Sequence, residues 1–238
     1  MAERLNIPKV TVYAGPMAAG KTNRLHSLIG GFQATHHPYE AFKPSHDIRD
    51  SVIQPRGLSE NDAHECAVVR SLAEIDAARL VRIGRLTIVL DEFHMFGYNE
   101  KHDPIPDAYF NTMLQWGRLG IAEVYAAGLD IAASGNTFPI FNEAHRLGAE
   151  IVMLTASCAF PVNGEKGPTC RQVARNSQIW SQKQRMPYRP PSLPDLLPEG
   201  GDLDMSYIPV CDKHNVEAYS KEVSVDYIYR ADISAQVA

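Results

Sequence analysis

Between the β-branched run Lys9-Val10-Thr11-Val12-Tyr13-Ala14 and a helical stretch opening at Lys21 lies Gly15-Pro16-Met17-Ala18-Ala19-Gly20-Lys21-Thr22, a complete G-x-x-x-x-G-K-[ST]. A strand before this loop and a helix after it are what its chemistry requires, so it commits this part of the chain to an α/β fold. Gly15 and Gly20 permit backbone conformations that turn successive amides inward, and Pro16, Met17, Ala18 and Ala19 complete the turn. The helix end adds partial positive charge, Lys21 reaches the outer phosphates of ATP, and the Thr22 hydroxyl ligates Mg²⁺. Local capture of phosphate matters here because the whole chain is acidic: 23 Lys+Arg against 28 Asp+Glu give a net charge of −5. That balance excludes an electrostatically driven nucleic-acid binder, and 45% hydrophobic residues exclude a disordered chain.

The first half alternates strand-like and helical stretches. After the helix from Lys21 to about Ala34 come Tyr39-Glu40-Ala41-Phe42 and a long polar connection. A helix opened by Ser71 follows, with Glu74 three residues on as a capping box. Then come Leu86-Thr87-Ile88-Val89-Leu90, a helix around Ala108 to Leu119, Glu123 to Ala127, a helix around Phe141 to Leu147, and Glu150 to Leu154. Runs apolar on both faces and separated by crossover-length helices predict a doubly wound, mostly parallel sheet of the P-loop, RecA-like kind over residues 1–154. A metal bridging the phosphates needs a carboxylate at the end of a neighbouring strand, and Asp91 follows Leu90. Glu92 is then placed either to deprotonate a substrate hydroxyl, as in a kinase, or to orient water, as in an ATPase.

From Cys158 to His214 the composition shifts to Pro, Gly, Ser and Gln, and Met186-Pro187-Tyr188-Arg189-Pro190-Pro191 and Pro198-Glu199-Gly200-Gly201 break regular elements. A stretch of this length without its own core reads as a functional loop tied at its ends. The tail after about Val223 is uninformative. No apolar run of about eighteen residues occurs, and Met1 to Leu5 is already polar, so the chain is expected to be cytoplasmic, with no membrane partner. In a reducing compartment Cys66, Cys158, Cys170 and Cys211 are poor disulfide candidates.

Taken together, Gly15-Pro16-Met17 with Gly20-Lys21-Thr22, the K-x-x-x-D-x-R of Lys43, Asp47 and Arg49, and Asp91-Glu92 resemble the type II, zinc-containing thymidine kinases. The resemblance runs from about Val10 to His214. It implies ATP- and Mg²⁺-dependent phosphorylation of thymidine at its 5′-hydroxyl, with Glu92 as catalytic base and Arg49 near the transferred phosphoryl group. It also implies nucleoside contacts at Met17, Asp47, Leu129, Phe138, Ser177 and Tyr207. Cys211-Asp212-Lys213-His214 after Tyr207 resembles the family's Y-x-x-x-C-x-x-[CH], and Cys158 stands where its first zinc ligand does. The second ligand departs from C-x-x-C: Pro161 holds that position, and Cys170 follows a Pro/Gly-bearing turn from Pro161 to Pro168. Three thiolates and one imidazole suit closed, structural zinc. Cys66, outside every match, reads as a small buried hydrophobe. By the same resemblance, residues 155–223 form a zinc-knuckle and lasso domain over the nucleoside, 224–238 are a tail, and the chain is a homotetramer.

Several positions depart from the family. Phe93, His94, Met95 and Phe96 replace its small-Gln-Phe-Phe, Gly135-Asn136-Thr137-Phe138 stands for its D-G-T-F after an insertion beyond Leu129-Asp130, and Ser177 replaces a threonine whose methyl meets the thymine methyl. Met95 and Phe96 read equally well as core. A larger, more polar space at Ser177 makes a 5-modified deoxyuridine an alternative substrate. In a different class stands a P-loop ATPase acting with nucleic acid, against which the negative charge counts.

Overall fold

The computed structural model describes residues 7–45, 47, 52–55, 62–99, 103–105, 108–162, 168–181, 186–187 and 205–215. Arg49, most of the expected lasso and the tail lie outside the described residues. The chain divides into two compact units, the first made of Met1–Gly15, Gly20–Asp130 and Thr137–Leu154, the second of Pro16–Ala19, Ile131–Asn136 and Thr155–Ala238.

The first unit is built on a six-stranded sheet. Its strands are β1 (Lys9–Ala14), β2 (Tyr39–Pro44), β5 (Ala67–Val69), β6 (Thr87–Leu90), β7 (Glu123–Gly128) and β8 (Glu150–Met153). They run in the order β5-β2-β6-β7-β1-β8, and every pairing is parallel. β6 and most of β1 are buried, as expected of strands covered on both faces. From β1 the order steps towards β5, and from β5 it steps back through β6 and β7 to β8. With right-handed crossovers this reversal places α1 (Lys21–Ala34) on one face and α2 (Ala77–Arg82), α3 (Ala108–Leu119) and α4 (Pro139–Arg146) on the other. The fold is the expected α/β, doubly wound parallel sheet. Leu25 and Ile29 of α1 are wholly buried against Ala41, Val89 and Ala127, and burial of such side chains stabilises by about 1.5–3 kcal/mol each.

Two local expectations fail. Ser71 starts only a 3-10 turn, Leu72–Glu74, and makes no side-chain cap; Glu74 Oε2 instead accepts from the Arg70 N–H at 2.8 Å. The helix proper begins at Ala77, where Asp76 accepts the Arg79 N–H at 2.8 Å and is the better cap because its carboxylate faces the helix dipole. The polar connection after β2 also contains structure: the edge strand β5 and a short antiparallel pair, β3 (Val52–Ile53) with β4 (His64–Glu65).

The second unit does have its own core, contrary to expectation. Cys158, Phe160, Ala174, Trp180, Val210 and Cys211 pack together. β9 (Ala156–Ser157) pairs with β10 (Val173–Ala174), and β11 (Asn176–Ser181) pairs antiparallel with β12 (Met186–Pro187) and β13 (Met205–Val210). Prolines 187 and 209 therefore do not prevent strands here. Among the described residues, no helix is long and apolar enough to cross a membrane.

Candidate functional site

The loop between β1 and α1 has the backbone its sequence predicts. Gly15 (φ 144°), Ala18 (φ 58°) and Gly20 (φ 79°) all lie at positive φ, the kind of backbone that lets successive amides turn inward. The Ala19 N–H donates to Pro16 O at 3.3 Å, and the Arg24 N–H donates to Gly20 O at 3.1 Å as α1 begins. The N-cap of this 14-residue helix is Gly20, so no side chain caps its first turn, and Lys21 and Thr22 are the first two helical residues. A positive helix end behind a left-handed loop is a fit for the phosphates of a nucleotide.

Asp91 and Glu92 leave the carboxyl end of β6, two strands from the loop. The Asp91 N–H donates to Phe42 O at 3.0 Å, which continues the ladder to β2, and the Asp91 side chain is buried. Glu92 then departs from every strand geometry with φ 49° and ψ 44°. A non-glycine residue held there costs about 1–2 kcal/mol, and such outliers gather at functional sites.

What holds Glu92 in that turn is a set of residues the motif alone does not reveal. Phe93–Gly97 form a 3-10 turn, and the His94 ring, 3% exposed, is fixed on two sides. Its Nδ1 accepts the Leu129 N–H at 3.3 Å, and Phe138 packs against it with ring centroids 4.7 Å apart. Glu92 Oε2 lies 3.6 Å from the same nitrogen, beyond hydrogen-bonding distance. Gly128, last residue of β7, makes the approach possible: a Cβ there would meet His94 N at 2.9 Å and Phe93 N at 3.1 Å. The signal in the sequence was a glycine ending an apolar run. Gly128→Ala is expected to push the turn aside and cost about 1–3 kcal/mol, lowering the melting temperature by several degrees. A melt within about 1 °C of the native protein would show that the turn yields freely.

Phe138 is 1% exposed, its ring against His94 and Tyr98. The Phe138 N–H donates to Asp130 O at 3.0 Å, which returns the segment after Leu129-Asp130 to the His94 turn. Phe96 is core as well, whereas Met95 is only half-buried. Leu129 is buried beside the His94 turn. The Asp47 carboxylate and Lys43 Nζ form an ion pair at 2.7 Å with both side chains buried. Cys66 is half-buried against the core under α1, and burial pushes its thiol up to about 11.

In the second unit the ligand atoms of Cys158, Cys170, Cys211 and His214 lie within 4.8 Å of one another. His214 Nδ1 is 3.4 Å from Cys211 Sγ and 3.5 Å from Cys158 Sγ. Zinc bonds of about 2.3 Å to sulfur and about 2.0 Å to nitrogen give a tetrahedral S···N edge of about 3.5 Å, so the donor set and these two spacings fit that ion. The departure from C-x-x-C is absorbed by a ladder. Pro161 bridges Thr169, the Val162 N–H donates to Pro168 O, and the Cys170 N–H donates to Phe160 O, each bond 2.9 Å, so the excursion closes at its base and Cys170 returns beside Cys158. Arg171 (φ 59°) turns the chain away immediately after the ligand. Burial raises the Cys158 thiol well above its ordinary range, and a bound cation offsets that cost by taking the thiolate. Of the remaining expected contacts, Ser177 is buried on β11 with its hydroxyl on the Met17 amide, and Tyr207 is half-buried on β13 opposite Ile179.

No family model and no curated protein matches the chain. Among the solved structures it is similar to is the genome packaging NTPase B204 from Sulfolobus turreted icosahedral virus 2, in complex with ATP-gammaS, at 12% identity and a TM-score of 0.38, covering 66% of this chain and 76% of that one.

Proposed function

We propose that the chain binds ATP at the Gly15–Thr22 loop and transfers the γ-phosphoryl group to the 5′-hydroxyl of thymidine or a closely related deoxynucleoside, as its resemblance to the type II thymidine kinases implies. The observation that carries this reading is the pair at the end of β6: a buried Asp91 continuing the sheet and Glu92 turned out of it into the left-handed region, two strands from a phosphate-type loop. Lys21 would neutralise the outer phosphates. Thr22 and Asp91 would hold Mg²⁺, which would supply positive charge against that developing on the phosphates. Glu92 takes the proton of the attacking hydroxyl as its oxygen bonds to phosphorus and the bond to the β-phosphate oxygen breaks, giving ADP and the nucleoside 5′-monophosphate. Arg49 would stabilise the transferred group, while Met17, Asp47, Leu129, Phe138, Ser177 and Tyr207 would position the nucleoside.

Zinc would be held by Cys158, Cys170, Cys211 and His214 and would act mechanically, fixing the second unit rather than touching the reaction. Substrate choice is tested by ADP release with a panel of nucleosides and with DNA. Thymidine or 5-hydroxymethyl-deoxyuridine is expected to stimulate release; stimulation by DNA alone would replace the kinase reading with an ATPase acting on nucleic acid.

A further inference from the structure

Ser177 is 3% exposed, and its Oγ accepts the Met17 N–H at 2.9 Å across a sequence separation of 160 residues. A hydroxyl from the unit that carries the Cys158/Cys170/Cys211/His214 cluster thus holds an amide of the phosphate loop, and the loop tip Pro16–Ala19 belongs to the same unit. Met17 stands between Gly15 and Ala18, both at positive φ. Because consecutive peptide planes share their Cα atoms, fixing the Met17 amide limits the directions its neighbours can take.

The strand that carries Ser177 is held at its start by the segments that carry the metal ligands. Asn176 pairs with Val210, the residue before Cys211, and its Nδ2 donates to Asp212 Oδ1 at 2.9 Å between Cys211 and His214. Just upstream, Val173–Ala174 pairs with Ala156–Ser157, the residues before Cys158. The Cys158 N–H donates to Gln172 O at 2.7 Å, and the Arg171 N–H donates back to Cys158 O at 3.0 Å. Both ends of the cluster therefore converge on the start of β11, one residue from the hydroxyl that holds the loop.

We propose that Ser177 is a positioning residue through which metal occupancy of the Cys158/Cys170/Cys211/His214 cluster sets the affinity of the phosphate loop for nucleotide. The proposal rests on the reading of Gly15–Thr22 as a nucleotide site. With the cluster filled, β11 holds Ser177 Oγ at the Met17 amide and the loop is preformed. With the cluster empty, the ligand segments lose their common anchor, the Met17 amide loses a fixed acceptor, and the loop must be ordered at the expense of binding energy. A serine serving only the core would alter stability without linking the two sites.

The test is a binding cycle in the presence of Mg²⁺. The Kd of a fluorescent ATP analogue is measured for the native protein, Ser177→Ala and Ser177→Thr, each loaded with zinc and again after stripping by a zinc-selective chelator. Loss of one hydrogen bond to a backbone amide is expected to weaken binding by zinc-loaded Ser177→Ala about 3- to 10-fold, while Ser177→Thr, which keeps the hydroxyl, stays within about twofold of the native protein. Stripping is expected to weaken the native protein at least as much, and Ser177→Ala by less than about twofold, since its link is already cut. Equal weakening of native protein and Ser177→Ala on stripping, or native affinity in zinc-loaded Ser177→Ala, overturns the coupling alone. Failure of the zinc-loaded native protein to bind the analogue overturns the nucleotide site and the coupling together.

Discussion

Glu92→Gln is expected to fold, bind ATP as the native protein does, and lose phosphoryl transfer by about 10²–10⁴-fold, the usual contribution of a positioned proton acceptor. Glutamine matches glutamate in shape and keeps the backbone problem unchanged, so only the proton acceptor is removed. A second substitution separates chemistry from strain. Glu92 occupies φ 49°, where an L-residue costs about 1–2 kcal/mol and glycine almost nothing. Glycine in turn gains about 0.5–1 kcal/mol of unfolded-state freedom. The two effects nearly cancel with the relief of strain ahead, so Glu92→Gly should melt at the native temperature or a few degrees above it while being inactive. An inactive protein that is no less stable is the signature of a residue retained for chemistry. Retained turnover in Glu92→Gln, measured at saturating nucleoside, would remove Glu92 as the base.

Cys211→Ser is expected to lose the metal and to unfold the second unit at a much lower temperature. Peptide zinc sites bind with about 10–16 kcal/mol near neutral pH. If only a third of that, about 3–5 kcal/mol, were folding energy here, the midpoint of this unit would fall by roughly 15–40 °C. The loss should show as a separate early transition by calorimetry, because the core of Cys158, Phe160, Ala174, Trp180, Val210 and Cys211 is distinct from that under α1. pH acts in the same direction. The thiols bind zinc only as thiolates, and burial already holds the Cys158 proton on more tightly than usual, so lowering the pH restores protons to the ligands and weakens metal binding. A single unshifted transition in Cys211→Ser, with no zinc in the native protein by elemental analysis, would show that the cluster is a buried thiol core and nothing more.

The centre of the parallel sheet was legible because β1 and β6 are largely buried runs with helices between the strands. Lys9–Ala14 and Lys21–Ala34 stand where the hydrophobic pattern and the glycine loop put them. The hairpin of Val52–Ile53 with His64–Glu65 was not legible, since two-residue strands carry no periodicity. The edge strand Ala67–Val69 shows Val68 49% exposed and reads as loop. In the second half, proline and glycine masked β13, whose pairing with β11 is decided by a partner about thirty residues away rather than by local preference. The same limit applied to the site. The loop, Asp91-Glu92 and the C-x-x-H pair of Cys211 and His214 announce themselves by spacing and Cys158 and Cys170 only by the family resemblance, whereas Gly128, the His94 ring and the Ser177–Met17 bond matter through contacts between distant segments.

Phosphorus NMR of a reaction containing zinc-loaded protein, ATP, Mg²⁺ and thymidine follows the γ-phosphate itself. The account predicts a phosphomonoester resonance coupled to the 5′-protons of the nucleoside, growing in step with ADP and absent with Glu92→Gln. Inorganic phosphate as the only product, at the same rate with and without nucleoside, would contradict it.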